Sequence, residues 1–335
     1  MSYLLITPLV LLCACALYTL WRVLQIAKKF KPDGRFATVD GVRLHYHFYP
    51  ASADDLHAPV LVFLHGASGN AYDTRLAFLE ALRGRYALLF IDRPGLGFSE
   101  IQAKGQYTPG EQAKVIAGLL EKLEVTSAVV VGHSLGGSVA AALGLATPDR
   151  VKGLAFLAPV SHPWPVGVNW YYSVASTPLI GRLFCWTLTL PIAERLAPCA
   201  ITSVFAPDDP PEHYLSETRV PLLFRPGAFR ANALNITVLK KAVTEQSKDY
   251  GALDQPTLIV TGTQDSVVWP SIHCEGLLTS LPDAELMVLD GAGHMPHHTH
   301  TQKVAHGLER LVCRVMAGEE ADSRPESRQK AMERA

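Results

Sequence analysis

The chain has 335 residues, long enough for one large domain carrying an insertion or for two small ones. Its 30 Lys and Arg against 31 Asp and Glu leave a formal charge of -1, so it lacks the basic footprint of a nucleic-acid binder and any field for a polyanion. Six cysteines, at 13, 15, 185, 199, 274 and 313, show no CxxC pair and no metal-ligand spacing; reduced surroundings fit, although the four outside the apolar leader could pair.

The first element is that leader. Residues 3–21, YLLITPLVLLCACALYTLW, hold no charged side chain. As a helix they reach about 28 Å, close to the hydrocarbon thickness of a bilayer. Tyr18 and Trp21 sit at its end as interfacial aromatics do, and Arg22, Lys28, Lys29, Lys31 and Arg35 follow, with no Lys or Arg before the run. That asymmetry makes residues 1–27 a single-pass transmembrane anchor in contact with the bilayer through 3–21, and assigns the following domain to the cytoplasm. A cleaved signal is the rival. Ala14-Cys15-Ala16 resembles a small-residue cleavage site and Leu12-Cys13-Ala14-Cys15 a degenerate lipoprotein signal. The basic leading region of such signals is missing, and the apolar run is long.

Residues 36–50 read as two strands around an Asp40-Gly41 turn. PVLVFLHG (59–66) and YALLFID (86–92) are short continuous apolar strands, and the second is closed by DRPGLGFS at 92–99. Ile116, Leu119, Leu120 and Leu123 are spaced for a helix over 109–124. Then come strand AVVVGH (128–133), a small-residue helix, strand VKGLAFLAP (151–159), strand PTLIVTG (256–262), a helix over roughly 270–281, strand ELMVLDG (285–291) and a helix over about 301–317. Continuous apolar strands alternating with helices predict an α/β fold, a mostly parallel central sheet with helices on both faces. The core is thus expected in two parts, 36–159 and 255–317, with 318–335 a charged, disordered tail.

The stretch 160–254 breaks the alternation and is too long for a plain loop, so it is expected to be an inserted helical cap. Residues 160–193 hold Trp164, Trp170, Tyr171, Tyr172, Phe184 and Trp186 but only one charged side chain, Arg182. Most of these aromatics would pack the cap onto the core. Trp164, Trp170 and Trp186 are the candidates for an apolar substrate pocket or a bilayer-facing surface.

The chemistry centres on Gly132-His133-Ser134-Leu135-Gly136, a G-x-S-x-G between strand and helix. Such an elbow places Ser134 on a strained turn above the sheet, over a helix N-terminus whose partial positive charge suits an oxyanion. Any Cβ at Gly132 or Gly136 would collide with the neighbouring strand and helix. A serine hydroxyl needs a base, and the base an orienting carboxylate, expected after later strands in the order acid then histidine. Asp265 in GTQD and His294 in GAGH meet this order. Asp290 belongs to a strand end, and Asp249 and Asp254 precede their strand. The backbone N–H groups of Leu135 and Ala67 are the expected oxyanion hole, with His65 buttressing the second loop. His297, His298 and His300 crowd the His294 loop without a local acid or cysteine, so they read as a polar rim, with no metal and no cofactor. Gly95-x-Gly97 lacks the third glycine and following helix of a dinucleotide site and reads as a structural turn. The sequon Asn235-Ile236-Thr237 would matter only in a lumenal domain.

HG at 65–66, DRPGLGFS at 92–99, GHSLGG at 132–137, GTQD at 262–265 and GAGH at 291–294 resemble the α/β-hydrolase superfamily, in its cap-bearing serine esterase and lipase-like branch, over about residues 36–316. Ser134 argues against the epoxide hydrolases and haloalkane dehalogenases of that fold, which use an aspartate nucleophile. The layout with an N-terminal anchor is similar to membrane-bound monoacylglycerol lipases. The resemblance implies a serine hydrolase using the Ser134–His294–Asp265 triad read above but fixes no substrate; the anchor and the low-charge cap favour a lipophilic, acylglycerol-like or similar ester. Thioester hydrolysis, carbon–carbon bond hydrolysis or perhydrolysis on the same triad, and a non-catalytic membrane-anchored binding protein, are the alternatives.

Overall fold

The computed structural model describes residues 2–52, 58–101 and 105–323. Eight strands form one sheet: β1 (Arg35–Val39), β2 (Val42–Tyr49), β3 (Val60–Leu64), β4 (Leu88–Ile91), β5 (Ala128–His133), β6 (Val151–Leu157), β7 (Thr257–Gly262) and β8 (Ala284–Leu289). Their order is β1-β2-β4-β3-β5-β6-β7-β8. β2 pairs antiparallel with both β1 and β4, and every pairing from β4 through β8 is parallel. The parallel strands therefore end on one edge, and Ser134, Asp265 and His294 all follow that edge.

Alternation along each strand sorts its side chains between two cores. Val62 and Leu64 of β3 face a cluster with the helices Pro109–Lys122 and Leu135–Ala146. Leu61 and Phe63 face the other way, onto the helices Ala71–Leu82 and Thr301–Ser323. There Phe63 stacks at 4.7 Å on Phe90 and at 5.1 Å on Phe78. Because both faces are covered, the central strands have no polar side, which is why they read as unbroken apolar runs. The helix Pro109–Lys122 begins with a reciprocal capping box between Thr108 and Glu111.

Two elements depart from the sequence reading. The helix Ala71–Leu82 was not anticipated; Asn70 caps it by accepting from the Tyr72 N–H, and its inward face carries Asp73 and Thr74 as well as Phe78, which blurs the apolar period. The last helix runs on to Ser323, so 318–323 are helical rather than part of a disordered tail; 324–335 lie outside the described residues. All six cysteines are free.

Between β6 and β7 the chain builds the helices Trp170–Ser176, Leu179–Phe184, Leu190–Phe205, Tyr214–Glu217 and Pro226–Gln246, with a π-turn at Cys185–Thr189. Leu239, Val243 and Tyr250 tie the end of this region into the main core. The N-terminal helix spans Ser2–Lys29. Its base is fixed to the inserted helices, since Ile26 and Phe30 pack with Leu190, Ala197, Leu222 and Phe224. Among the described residues, two helical stretches are long and apolar enough to cross a membrane, Thr7–Lys29 and Leu179–Phe205.

Candidate active site

Ser134 links β5 to the helix Leu135–Ala146 with φ 52° and ψ -121°, a conformation that costs a side-chain-bearing residue about 1–3 kcal/mol. Its neighbours hold it there. Its N–H donates to Leu157 O at 2.9 Å, and its carbonyl accepts from Val160 N at 3.0 Å and Gly137 N at 2.9 Å. A Cβ on Gly132 would run into the Gly136 carbonyl, and one on Gly136 into the Leu64 carbonyl, as the sequence reading required.

His294 Nε2 lies 3.1 Å from Ser134 Oγ, and His294 Nδ1 lies 2.8 Å from Asp265 Oδ2. The other carboxylate oxygen, Oδ1, accepts from the N–H groups of Val267 and Val268, each at 2.9 Å, which fixes the carboxylate plane. With Asp265 on Nδ1, the imidazole keeps its proton there and turns the Nε2 lone pair to the serine hydroxyl. The three residues are only 8, 4 and 6% exposed for Ser134, His294 and Asp265, so these bonds form largely out of water.

Leu135 opens the helix behind Ser134. Ala67 sits in the opposing turn after β3, where a Cβ at Gly66 would come within 3.1 Å of Ser134 Cβ; only glycine lets this turn lie so close. The turn is held from both sides. Above it, Asn232 of the inserted region accepts from Ser68 N at 2.8 Å and donates to Ser68 Oγ at 3.0 Å. Below it, the fully buried Arg93 donates from Nε to His65 O at 2.8 Å, from Nη2 to Gly66 O at 2.9 Å, and from Nη1 to Gln112 and Asn235. His65 donates from Nδ1 to Gly66 O and accepts the Arg93 N–H on Nε2, and burial pushes its pKa down to about 3, leaving it neutral. Arg93 and Asn232 were missed in the sequence. Arg93 lies inside a motif that read only as a turn, and the Asn235 side chain is buried on Arg93 rather than free to carry a glycan.

His133, the variable residue of the elbow, donates from Nε2 to the His294 carbonyl at 3.0 Å and so bridges the serine turn to the histidine loop. The same loop corrects the polar-rim reading. His297 is fully buried and His298 nearly so, and they reach Asp73 Oδ2 at 3.3 Å and Oδ1 at 2.9 Å, while Tyr214 donates to Oδ1 at 2.6 Å. Burial alone would raise Asp73, but the hydrogen bonds from His297 and His298 outweigh it and hold its carboxyl well below the usual range. The absence of a local acid was the reason for reading no metal here, and the fold supplies one from 224 residues away. Asp73, His297 and His298, like Asp33, His45 and His47, bring ligand atoms within 4.8 Å of one another. Asp73 already spends both oxygens on hydrogen bonds.

Burial also pushes His47, His273 and His297 each down to about 4. Each binds its proton more weakly folded than unfolded, so stability is full near pH 7 and drains as pH falls through 6.5 toward 4. By pH 5 each group costs about 2 kcal/mol. The urea midpoint should fall clearly between pH 7.5 and pH 5; an unchanged midpoint would contradict neutral burial of these rings.

Trp170 and Trp186 face outward, 70 and 45% exposed, while Trp164 packs beside His273 at 6.0 Å. Side-chain direction on short helices was not legible from composition.

The alpha/beta hydrolase family model matches residues 61–306. The chain belongs to that family. Within it, the alpha/beta hydrolase described here is 35% identical over 269 residues to the dihydrolipoyllysine-residue acetyltransferase component of the acetoin cleaving system of Cupriavidus necator, covering 78% of this chain and 64% of that one. This chain thus spans less than two thirds of that relative's length. It is 29% identical over 264 residues to the pimeloyl-[acyl-carrier protein] methyl ester esterase of Xanthomonas campestris, covering 77% of this chain and 96% of that one. The crystal structure of Cfl2 from Burkholderia cenocepacia superposes with a TM-score of 0.69 at 21% identity, over 83% of this chain and 95% of that one, a likeness of fold.

Proposed function

We propose that this hydrolase cleaves carboxylic esters of lipophilic substrates by acyl transfer through Ser134. The observation that carries the reading is the hydrogen-bonded sequence Asp265–His294–Ser134, at 2.8 and 3.1 Å, under a strained elbow. His294 Nε2 takes the hydroxyl proton as Oγ attacks the carbonyl carbon. Asp265 holds the ring and stabilises the imidazolium. The tetrahedral oxyanion accepts hydrogen bonds from the N–H groups of Leu135 and Ala67. His294 then protonates the leaving alcohol, and water repeats the sequence on the acyl-enzyme.

An ester substrate is favoured by the named activity of the Xanthomonas relative, and a lipophilic one by the low-charge stretch 160–193 of the inserted region. We further propose that Thr7–Lys29 anchors the protein in a membrane, with the hydrolase domain on the cytoplasmic side that Arg22, Lys28, Lys29, Lys31 and Arg35 mark. A panel of p-nitrophenyl and glycerol esters of graded chain length tests the substrate class. Turnover should rise from acetyl to longer acyl chains, with thioesters and diketones slower. Diketone cleavage without ester turnover would overturn it.

A further inference from the structure

We infer that the outward face of Leu179–Phe205 seats in the same lipid monolayer that the N-terminal helix enters. The inference rests on the anchorage proposed above and deepens it. From Leu179 to Ile192 the sole charged side chain is Arg182. Leu179, Ile180, Leu183, Trp186, Ile192 and Leu196 point outward, from 45 to 79% exposed. Gly181, Cys185, Thr187, Leu190 and Ala197 are the buried side of the same segment. An apolar face of this extent is out of place in water and marks a contact surface.

The depth of that surface follows from the neighbouring helix. The N-terminal helix packs against the turn Cys185–Thr189 and the helix Leu190–Phe205, and it buries Thr19 and Ile26. Tyr18, inside the apolar leader, donates to Glu194 Oε2 at 3.0 Å, and Arg22 Nε donates to Glu194 at 3.0 Å. If Tyr18 and Trp21 lie where hydrocarbon meets headgroups, Glu194 lies at that level too, its charge met by Arg22. The apolar segment leading to Glu194 then borders the acyl chains. It is therefore an interfacial element in the sense of a helix lying in the boundary plane.

The occupant is a lipid monolayer rather than a second crossing of the bilayer. Glu194 and Arg195 interrupt the run, and Leu190, Ala197 and Phe205 are buried in the fold, so the segment cannot leave it to span. The consequence concerns substrate entry. Ser134 is almost buried, with the inserted helix bearing Asn232 over its loop. Seating Leu179–Phe205, which packs on that helix, in lipid lets an ester dissolved in the monolayer approach without crossing water.

The test uses the full chain in phosphatidylcholine vesicles, with Trp21→Phe removing the leader's own fluorophore. Brominated acyl chains should quench a component that vanishes when Trp186→Phe is added. Separately, Ile180→Asp, Leu183→Asp and Ile192→Asp together should leave vesicle flotation and turnover of a water-soluble short ester unchanged. The same triple variant should lose at least tenfold on an ester dissolved in the bilayer. Flotation with neither Trp186 quenching nor selective loss overturns the monolayer contact and spares the anchor. A dimer by sedimentation with Trp186 shielded from bromine also overturns it, in favour of a second copy. Failure of the parent to float overturns the anchorage and this inference together. Quenching without any ester turnover would sink the esterase reading alone.

Discussion

Ser134→Ala should lower kcat on carboxylic esters by about 10⁴-fold or more while the protein stays folded. The change removes one oxygen from a residue whose backbone is held by Leu157, Val160 and Gly137, so those bonds survive it. His294→Ala should cost as much, because without a base the hydroxyl stays protonated at neutral pH. Asp265→Asn keeps the shape but offers an N–H to Nδ1, which moves the imidazole proton to Nε2, the face that must accept from Ser134; a loss of about 10⁴-fold is expected there too. The three act as one unit, so a double variant should fall little below either single. Steady-state rates beside circular dichroism check this. Ser134→Ala with more than a tenth of normal turnover would place the chemistry elsewhere.

The second large effect is on stability. Arg93→Met should destabilise the domain by about 3–5 kcal/mol, lowering the thermal midpoint by about 4–7 °C. Arg93 is a fully buried cation whose fork is met by neutral oxygens, those of His65, Gly66, Gln112 and Asn235. Burial pushes its guanidinium down to about 9, which still leaves it charged at pH 7. Desolvating that charge costs several kcal/mol, and charge-assisted bonds of about 1.5–3 kcal/mol each outweigh it. Methionine removes the desolvation cost but strands four acceptors, at about 1–3 kcal/mol apiece. Activity should fall further than stability, since two of those acceptors shape the turn that presents Ala67. Arg93→Lys should rescue little, because an ammonium cannot reproduce the fork. A midpoint within 2 °C of the parent's, about 1.4 kcal/mol at this size, would contradict this role.

The sequence made legible whatever was local or followed from strand ends. The elbow glycines, the two-sided apolar strands and the order of Ser134, Asp265 and His294 depend on neighbours in the chain, and the sheet brings their ends to one edge. Contacts made by long closure stayed hidden. Asp73 meets His297 and His298 across 224 and 225 residues, and Asn232 reaches Ser68 across 164. A polar residue in such a pair looks like surface until its partner arrives. Asp73 carries a second lesson: lying on the inward face of the helix Ala71–Leu82, it hid that helix from an apolar-period reading. The inserted helices were readable in composition but not in direction, so Trp170 and Trp186, candidates for pocket walls, proved to face outward.

The most direct measurement is the mass of the protein during turnover of a slowly deacylating ester. Acyl transfer predicts a covalent acyl group on the peptide carrying Ser134, formed in a burst equal to the enzyme present and absent from Ser134→Ala. Ester turnover with no adduct on that peptide, or an adduct that persists in Ser134→Ala, would contradict the account.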